Sequence, residues 1–194
     1  MAHPRIAERR MTHTRKKDMA EAPLHIVLVA PEIAGNTGNV IRLCANVGAT
    51  LHLVEPLGFD FDDRKLRRAG LDYHDLANIR VHTDWRSCRE HLPNGRVFAF
   101  TSRATIRYCD TPYRAGDALV FGAEASGLSA AVLADFADEQ LRTIPMRPGN
   151  RSINLANAVA LVAYDAWRQF GFDGAGNSGV VSTVDAASGD PTFA

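Results

Sequence analysis

The sequence predicts an α/β domain built on a mainly parallel sheet with helices on both faces. Short apolar runs alternate with helix-periodic segments from Leu24 to Phe170, the order that builds parallel strands through crossover helices. The runs Leu24–Ala30, Thr50–Val54 and Ala118–Phe121 are nearly apolar throughout, as strands covered on both faces are. With 46% hydrophobic side chains in 194 residues, one compact domain can fill its core.

Taken in order, Leu24–Ala30 reads as a strand stopped by Pro31. Asn36–Val47 reads as a helix, with Val40, Ile41, Leu43, Cys44 and Val47 on helical spacing and Gly48 ending it. Thr50–Val54 is the second strand, ended near Pro56. A basic helix is expected around Asp62–Ala69, closed by Gly70. Asn78–His82 is a weaker strand, followed by a helix near Asp84–His91. Arg96–Thr101 and Ala118–Phe121 are strands. Ser129 suits the cap of a helix over Ser129–Phe136. Leu141–Ile144 is the last strand, and Ile153–Phe170 is a long helix without internal Gly or Pro.

Residues 1–23 show no sustained apolar periodicity, and residues 172–194 are rich in Gly, Ser, Ala and Asp. Both read as tails around a domain at 24–171. The basic N-terminal stretch lacks the apolar core of a secretory signal, and no run reaches the roughly 18 apolar residues of a membrane span. The expectation is a cytoplasmic protein without membrane partners. Three scattered cysteines, Cys44, Cys88 and Cys109, contain no C-x-x-C pair, and the seven histidines show no ligand spacing. No disulfide framework and no metal are expected. Net charge is zero, so any nucleic-acid site must be a local patch rather than a global field.

Ligands of such sheets sit beyond the carboxyl ends of the strands, which directs attention to the loops Pro31–Gly38, Thr101–Arg103, Gly122–Leu128 and Pro145–Asn154, three of which could carry chemistry. The first, Pro31–Arg42, has Gly35 and Gly38 at a helix N-terminus, suited to an anion. Arg42 lies one turn beyond Asn39, where it fits a phosphate fork or a structural ion pair equally well. The second, Phe121–Leu128, brackets Glu124 between glycines. It reads either as a plain strand-to-helix turn or as a backbone cradle. The third, Ile144–Val159, combines two Pro and a Gly with Asn154 and Asn157 one turn apart at the start of an apolar helix, which points to caps or ligand contacts.

Four segments carry a resemblance. They are Pro31-Glu32-Ile33-x-x-Asn36-Thr37-Gly38-Asn39-x-x-Arg42-Leu43-Cys44, Arg67-Arg68-Ala69-Gly70-Leu71-Asp72-Tyr73, Phe121-Gly122-x-Glu124-x-x-Gly127-Leu128, and Ile144-Pro145-Met146 continuing through Arg151-Ser152-x-Asn154-Leu155-x-Asn157-Ala158-Val159. Over about Leu24–Gly171 the chain resembles the SPOUT methyltransferase superfamily, and within it the bacterial tRNA (cytidine/uridine-34)-2′-O-methyltransferase family. Ala34-Gly35 departs from the family's usual loop.

That resemblance implies a C-terminal trefoil knot, a homodimer, and S-adenosylmethionine as methyl donor to a wobble ribose in a tRNA anticodon stem-loop. By similarity, the cofactor contacts fall on Phe100, Gly122, Ile144 and Ser152, with Leu128 and Met146 as apolar walls. Arg42 takes the activating place. A guanidinium stays charged, so its role is read as holding a phosphate or lowering the hydroxyl's pKa. Asn36 and Asn39 would position ribose or phosphate, and Glu124 and Asn154 would order the site. Arg64, Lys65, Arg67 and Arg68 would meet RNA, unless they form a solvated face balanced by Asp60, Asp62 and Asp63. Tyr73 would stack a base, and Tyr164 would face RNA or a partner subunit. The alternatives are a ribosomal-RNA methyltransferase, whose relatives carry an extra domain before the catalytic one, and a non-catalytic RNA-binding module.

Overall fold

The structure is a computed structural model describing residues 22–60, 78–92 and 96–176. The helix expected around Asp62–Ala69 and most of both tails lie outside these residues. The described strands are β1 (Leu24–Val29), β2 (Thr50–Val54), β3 (Ile79–His82), β4 (Val97–Phe100), β5 (Asp117–Phe121) and β6 (Leu141–Arg142). They form one sheet in the order β3-β2-β1-β5-β4-β6, and every pairing is parallel. The described helices are α1 (Ala34–Val47), α2 (Trp85–His91), α3 (Ala130–Leu133) and α4 (Leu155–Gln169).

Period-two alternation splits the core into two layers. Leu24, Ile26 and Leu28 of β1, with Leu51 and Leu53 of β2, pack with Val40, Ile41 and Cys44 of α1 and Val159, Val162 and Ala163 of α4. Val27, Val54, Val97 and Val120 face the other way, against Cys88, Leu92, Leu128 and Val132. Fully burying a Leu, Ile or Val side chain contributes about 1.5–3 kcal/mol, so the sheet's two covered faces hold the fold together. Cys44 and Cys88 are buried and Cys109 is exposed, none of them in a disulfide.

A polar row crosses the second layer. His25 Nδ1 lies 3.2 Å from His52 Nε2, and His52 Nδ1 lies 2.9 Å from His82 Nε2. Burial, then the charges of His25 and His82, push His52 down to about 2. Burial, then His91 and Arg80, push His82 down to about 4. His52 and His82 are therefore neutral, and a neutral imidazole carries one donor and one acceptor. That is what head-to-tail bonding requires.

Four boundaries differ from expectation by two residues or more, among them the start of α4, which is Leu155 and not Ile153 because Asn154 is its N-cap. Helix α1 begins at Ala34, two residues early, where a distant carboxylate holds the backbone leading into it. The helix expected over Ser129–Phe136 stops at Leu133. Asp135 and Phe136 continue in tight turns, Asp135 N–H to Val132 O and Phe136 N–H to Leu133 O. Those turns let Asp135 accept from Trp85 Nε1 at 2.6 Å and set Phe136 against the Trp85 ring. Strand β6 ends at Arg142 because Thr143 leaves β4 and pairs with Arg107 instead. Thr143 N–H donates to Ile106 O at 2.8 Å, and Tyr108 N–H donates to Thr143 O at 2.9 Å.

Candidate functional site

A parallel sheet gathers the carboxyl ends of its strands on one edge, and the three loops meet there. An α-helix starts with N–H groups that have no partner within the helix. At α1 no side chain of its own N-cap residue, Ile33, supplies one. Glu124, from the loop after β5, binds the backbone leading into the helix: its Oε2 accepts from Glu32 N–H, just before the helix, at 2.7 Å and its Oε1 from the N–H of the N-cap Ile33 at 3.2 Å. A carboxylate at this end also complements the helix dipole.

The same Oε1 accepts from Asn36 Nδ2 at 2.9 Å, and Asn36 Oδ1 accepts from Asn154 Nδ2 at 2.9 Å. Asn154 Oδ1 caps α4, accepting from Ala156 N–H at 2.9 Å and Asn157 N–H at 3.3 Å. The chain Glu124–Asn36–Asn154 thus fastens all three loops. Asn36 is buried, and both ends of its amide face protein. Asn39 and Arg42 are exposed one turn apart on α1, on the side away from the core.

Beside this relay lies a cavity of about 300 Å³. All six residues expected at the cofactor line it: Phe100, Gly122, Leu128, Ile144, Met146 and Ser152. Phe100 stacks on Phe121, with ring centroids 4.5 Å apart and planes within 10°, closing the floor with apolar surface. The loop 122–128 folds back on itself through Gly127 N–H to Ala123 O at 2.9 Å. A β-carbon on Gly122 would fall on the backbone of Gly127 and Leu128, so only glycine allows this closure. Glu124 also lines the cavity, as do Thr101, Ser102 and Arg103.

Arg64, Lys65, Arg67, Arg68 and Tyr73 lie outside the described residues. Tyr164 is 43% exposed on α4, the helix that Asn154 caps, and packs edge-on against Trp167 at 5.6 Å between centroids.

The SpoU rRNA methylase family matches residues 23–164. The chain belongs to the SpoU rRNA methylase family. The tRNA (cytidine(34)-2′-O)-methyltransferase of Burkholderia pseudomallei (strain 1106a) is 58% identical to this chain over 152 residues, covering 77% of this chain and 97% of that protein. The protein so named from Escherichia coli (strain K12) is 51% identical over 152 residues, covering 78% and 97%. A solved structure described as giving insights into 2-OH methylation of C/U34 on tRNA superposes with a TM-score of 0.69. It is 46% identical and covers 76% of this chain and 91% of its own. The parallel six-stranded sheet is therefore the SpoU family's methyltransferase fold.

Several roles in this SpoU domain go beyond what the sequence marked. Glu32 was marked only by its place in the motif, and its Oε2 accepts from Ala125 N–H at 3.0 Å. Thr101 and Arg103 line the cavity from the loop after β4, which the strand order singled out without assigning them a role. His52, His82 and Cys88 bring ligand-type atoms within 4.8 Å of one another. Their spacing along the chain carries no signal, because three separate elements contribute them. His52 and His82 are bonded directly to each other in that group.

Proposed function

We propose that this chain is an S-adenosylmethionine-dependent tRNA 2′-O-methyltransferase acting on the ribose of nucleotide 34, a cytidine or modified uridine, in the anticodon loop. One observation carries the reading. The six residues expected at the cofactor converge on one cavity, and the Glu124–Asn36–Asn154 relay joins that cavity to the helix bearing Arg42. Relatives 51–58% identical that are named for this reaction support the substrate, and favour it over ribosomal RNA.

The cavity suits the cofactor's chemistry. Stacked Phe100 and Phe121 and buried Leu128 offer apolar walls, while Gly122 brings bare backbone to the rim. S-adenosylmethionine supplies an electrophilic methyl group on a sulfonium, with a neutral thioether left behind. Phe100, Gly122, Ile144 and Ser152 would hold it, with Leu128 and Met146 as walls. The protein's remaining task is to bring a ribose hydroxyl in line and to stabilise the charge that grows on its oxygen. Positioning of this kind contributes on the order of 7–11 kcal/mol to a well-oriented bimolecular step.

Arg42 is the electrostatic group. Its guanidinium keeps its charge, so it holds a phosphate or steadies the developing alkoxide, and the proton leaves to water. Asn39, one turn before it, orients ribose or phosphate. Glu124, Asn36 and Asn154 fix where α1 and the cavity loops stand. The basic residues Arg64, Lys65, Arg67 and Arg68 grip the anticodon stem-loop, and Tyr73 stacks on a base. The same reading gives the chain the trefoil knot, which the family resemblance implies.

A second copy of the chain covers the outer side of α4. Leu161, Tyr164 and Phe172 are 42%, 43% and 42% exposed there, and Tyr164 and Phe172 both pack edge-on against Trp167. Light scattering of wild type and Leu161→Asp tests this, with a dimer becoming a monomer as the expected result. The function itself is tested by incubating purified protein with S-adenosylmethionine and tRNA and analysing nucleosides by mass spectrometry. 2′-O-methylcytidine forms if the reading holds. RNA binding without S-adenosylhomocysteine binding would assign a non-catalytic module instead.

A further inference from the structure

Glu32 and Glu124 form a reciprocal clasp. Glu124 accepts the backbone N–H groups of Glu32 and Ile33. In return, Glu32 Oε2 accepts from Ala125 N–H at 3.0 Å. Each carboxylate thus binds the backbone beside the other. Among the described residues neither is ion-paired, so N–H donors are what hold two negative groups side by side. Bonds from N–H to a charged acceptor are roughly twice as strong as neutral ones.

The Glu32 backbone is also wedged from behind. Gly58 N–H donates to Pro31 O at 2.9 Å, and a β-carbon on Gly58 would stand 2.6 Å from Glu32 O and 2.7 Å from Glu32 Cα. The first loop therefore cannot retreat from the second without breaking contacts on both sides. The second loop lines the cavity, with Gly122, Glu124 and Leu128 on its wall. The first loop begins the helix that carries Asn39 and Arg42. A ligand that orders one loop lowers the ordering cost for a ligand on the other, which is a coupling free energy between two sites.

We propose that Glu32 is a positioning residue whose bond to Ala125 couples cofactor binding in the cavity to RNA binding at the Arg42 face of α1. This inference rests on the cofactor and RNA reading given above and adds the linkage between the two. It assigns Glu32 no contact with either ligand.

The test measures affinity for a tRNA bearing cytidine 34, with and without saturating S-adenosylhomocysteine, by calorimetry or filter binding. The readout is the ratio of the two dissociation constants, which a merely structural weakening of both measurements leaves unmoved. Wild type is expected to bind tRNA about tenfold tighter with S-adenosylhomocysteine, within the usual range of such couplings. Glu32→Ala removes the acceptor, and Glu32→Met removes it while keeping the length of the stem. Both are expected to bring the ratio to about one. Glu32→Gln keeps an acceptor oxygen and is expected to keep the wild-type ratio. An unchanged ratio in the Ala and Met variants overturns the proposal, as does a lost ratio in the Gln variant or a wild-type ratio of one. Wild type that fails to bind S-adenosylhomocysteine overturns the cofactor reading itself, and so the two failures are told apart.

Discussion

Asn154 Nδ2 donates to Asn36 Oδ1 at 2.9 Å, across 118 residues of chain. Asn154 Oδ1 meanwhile caps α4. One side chain thus starts the long helix and reaches the start of α1, so its two functions can be separated by substitution.

Asn154→Asp keeps an oxygen for the cap, worth about 1 kcal/mol at such positions. It replaces the donor facing Asn36 with a second acceptor. Asn36 cannot turn its amide to answer without losing its bond to Glu124. The expected outcome is a melting temperature close to wild type with methyl transfer lowered at least about tenfold, a loss of roughly 1.4 kcal/mol in transition-state stabilisation. Asn154→Ala should lose both stability and activity. Thermal melts and single-turnover assays on the pair of variants separate the two effects.

Gly122 stands where a β-carbon would overlap the backbone of Gly127 and Leu128. Gly122→Ala must open the 122–128 turn, and overpacking of this kind costs about 1–3 kcal/mol. S-adenosylhomocysteine affinity should fall about tenfold or more if that strain is relieved at the cavity wall. Calorimetry showing wild-type affinity would mean that the turn does not shape the cofactor site.

Arg42→Lys keeps a positive charge and discards the planar fork of donors. If the fork stabilises charge on the reacting oxygen or holds a phosphate, single-turnover methylation should fall about a hundredfold, the usual scale for removing one such group. Binding of S-adenosylhomocysteine should stay unchanged. A wild-type rate with bound RNA would remove Arg42 from the chemistry.

The histidine row makes stability depend on pH with a definite sign. In the unfolded chain His52 and His82 take up protons near 6.5, whereas in the fold His82 resists to about 4 and His52 to about 2. Below 6.5 the unfolded state therefore binds more protons than the folded one, and linkage lowers stability as pH falls. The full contribution is present above 6.5, declines between 6.5 and 4, and keeps declining toward 2. Melting temperature should drop steadily from pH 7 to pH 4. His82→Gln should flatten that slope, and a slope unchanged by the substitution would place its origin elsewhere.

The loops beyond the strand ends were legible in the sequence because the apolar runs stop there, while the family resemblance singled out Phe100, Gly122 and Ile144 within them. Phe100 ends β4, Gly122 follows β5 and Ile144 follows β6, and a parallel sheet is bound to bring such positions to one edge. The cap at Asn154 was legible as well, since Asn at the head of an apolar helix has few other uses. The start of α1 was not, because the group that holds the backbone leading into it is Glu124, 92 residues beyond the Glu32 N–H that it accepts. The histidine row escaped for a related reason. His25, His52 and His82 belong to three strands, and only the register of the sheet sets their rings edge to edge. Strand β6 looked longer than it is because Thr143 and Ile144 are good strand residues. Their partner is the segment after β4, which no local pattern announces.

The most direct test of the account compares two otherwise identical tRNAs, one with cytidine and one with 2′-deoxycytidine at position 34, each incubated with the protein and S-adenosylmethionine. Mass spectrometry of ribonuclease fragments should find one methyl group on nucleotide 34 of the first tRNA and none anywhere on the second. A methyl group that persists on the deoxy substrate, or that appears at another nucleotide, would contradict the assignment of the wobble ribose to the site beside Arg42.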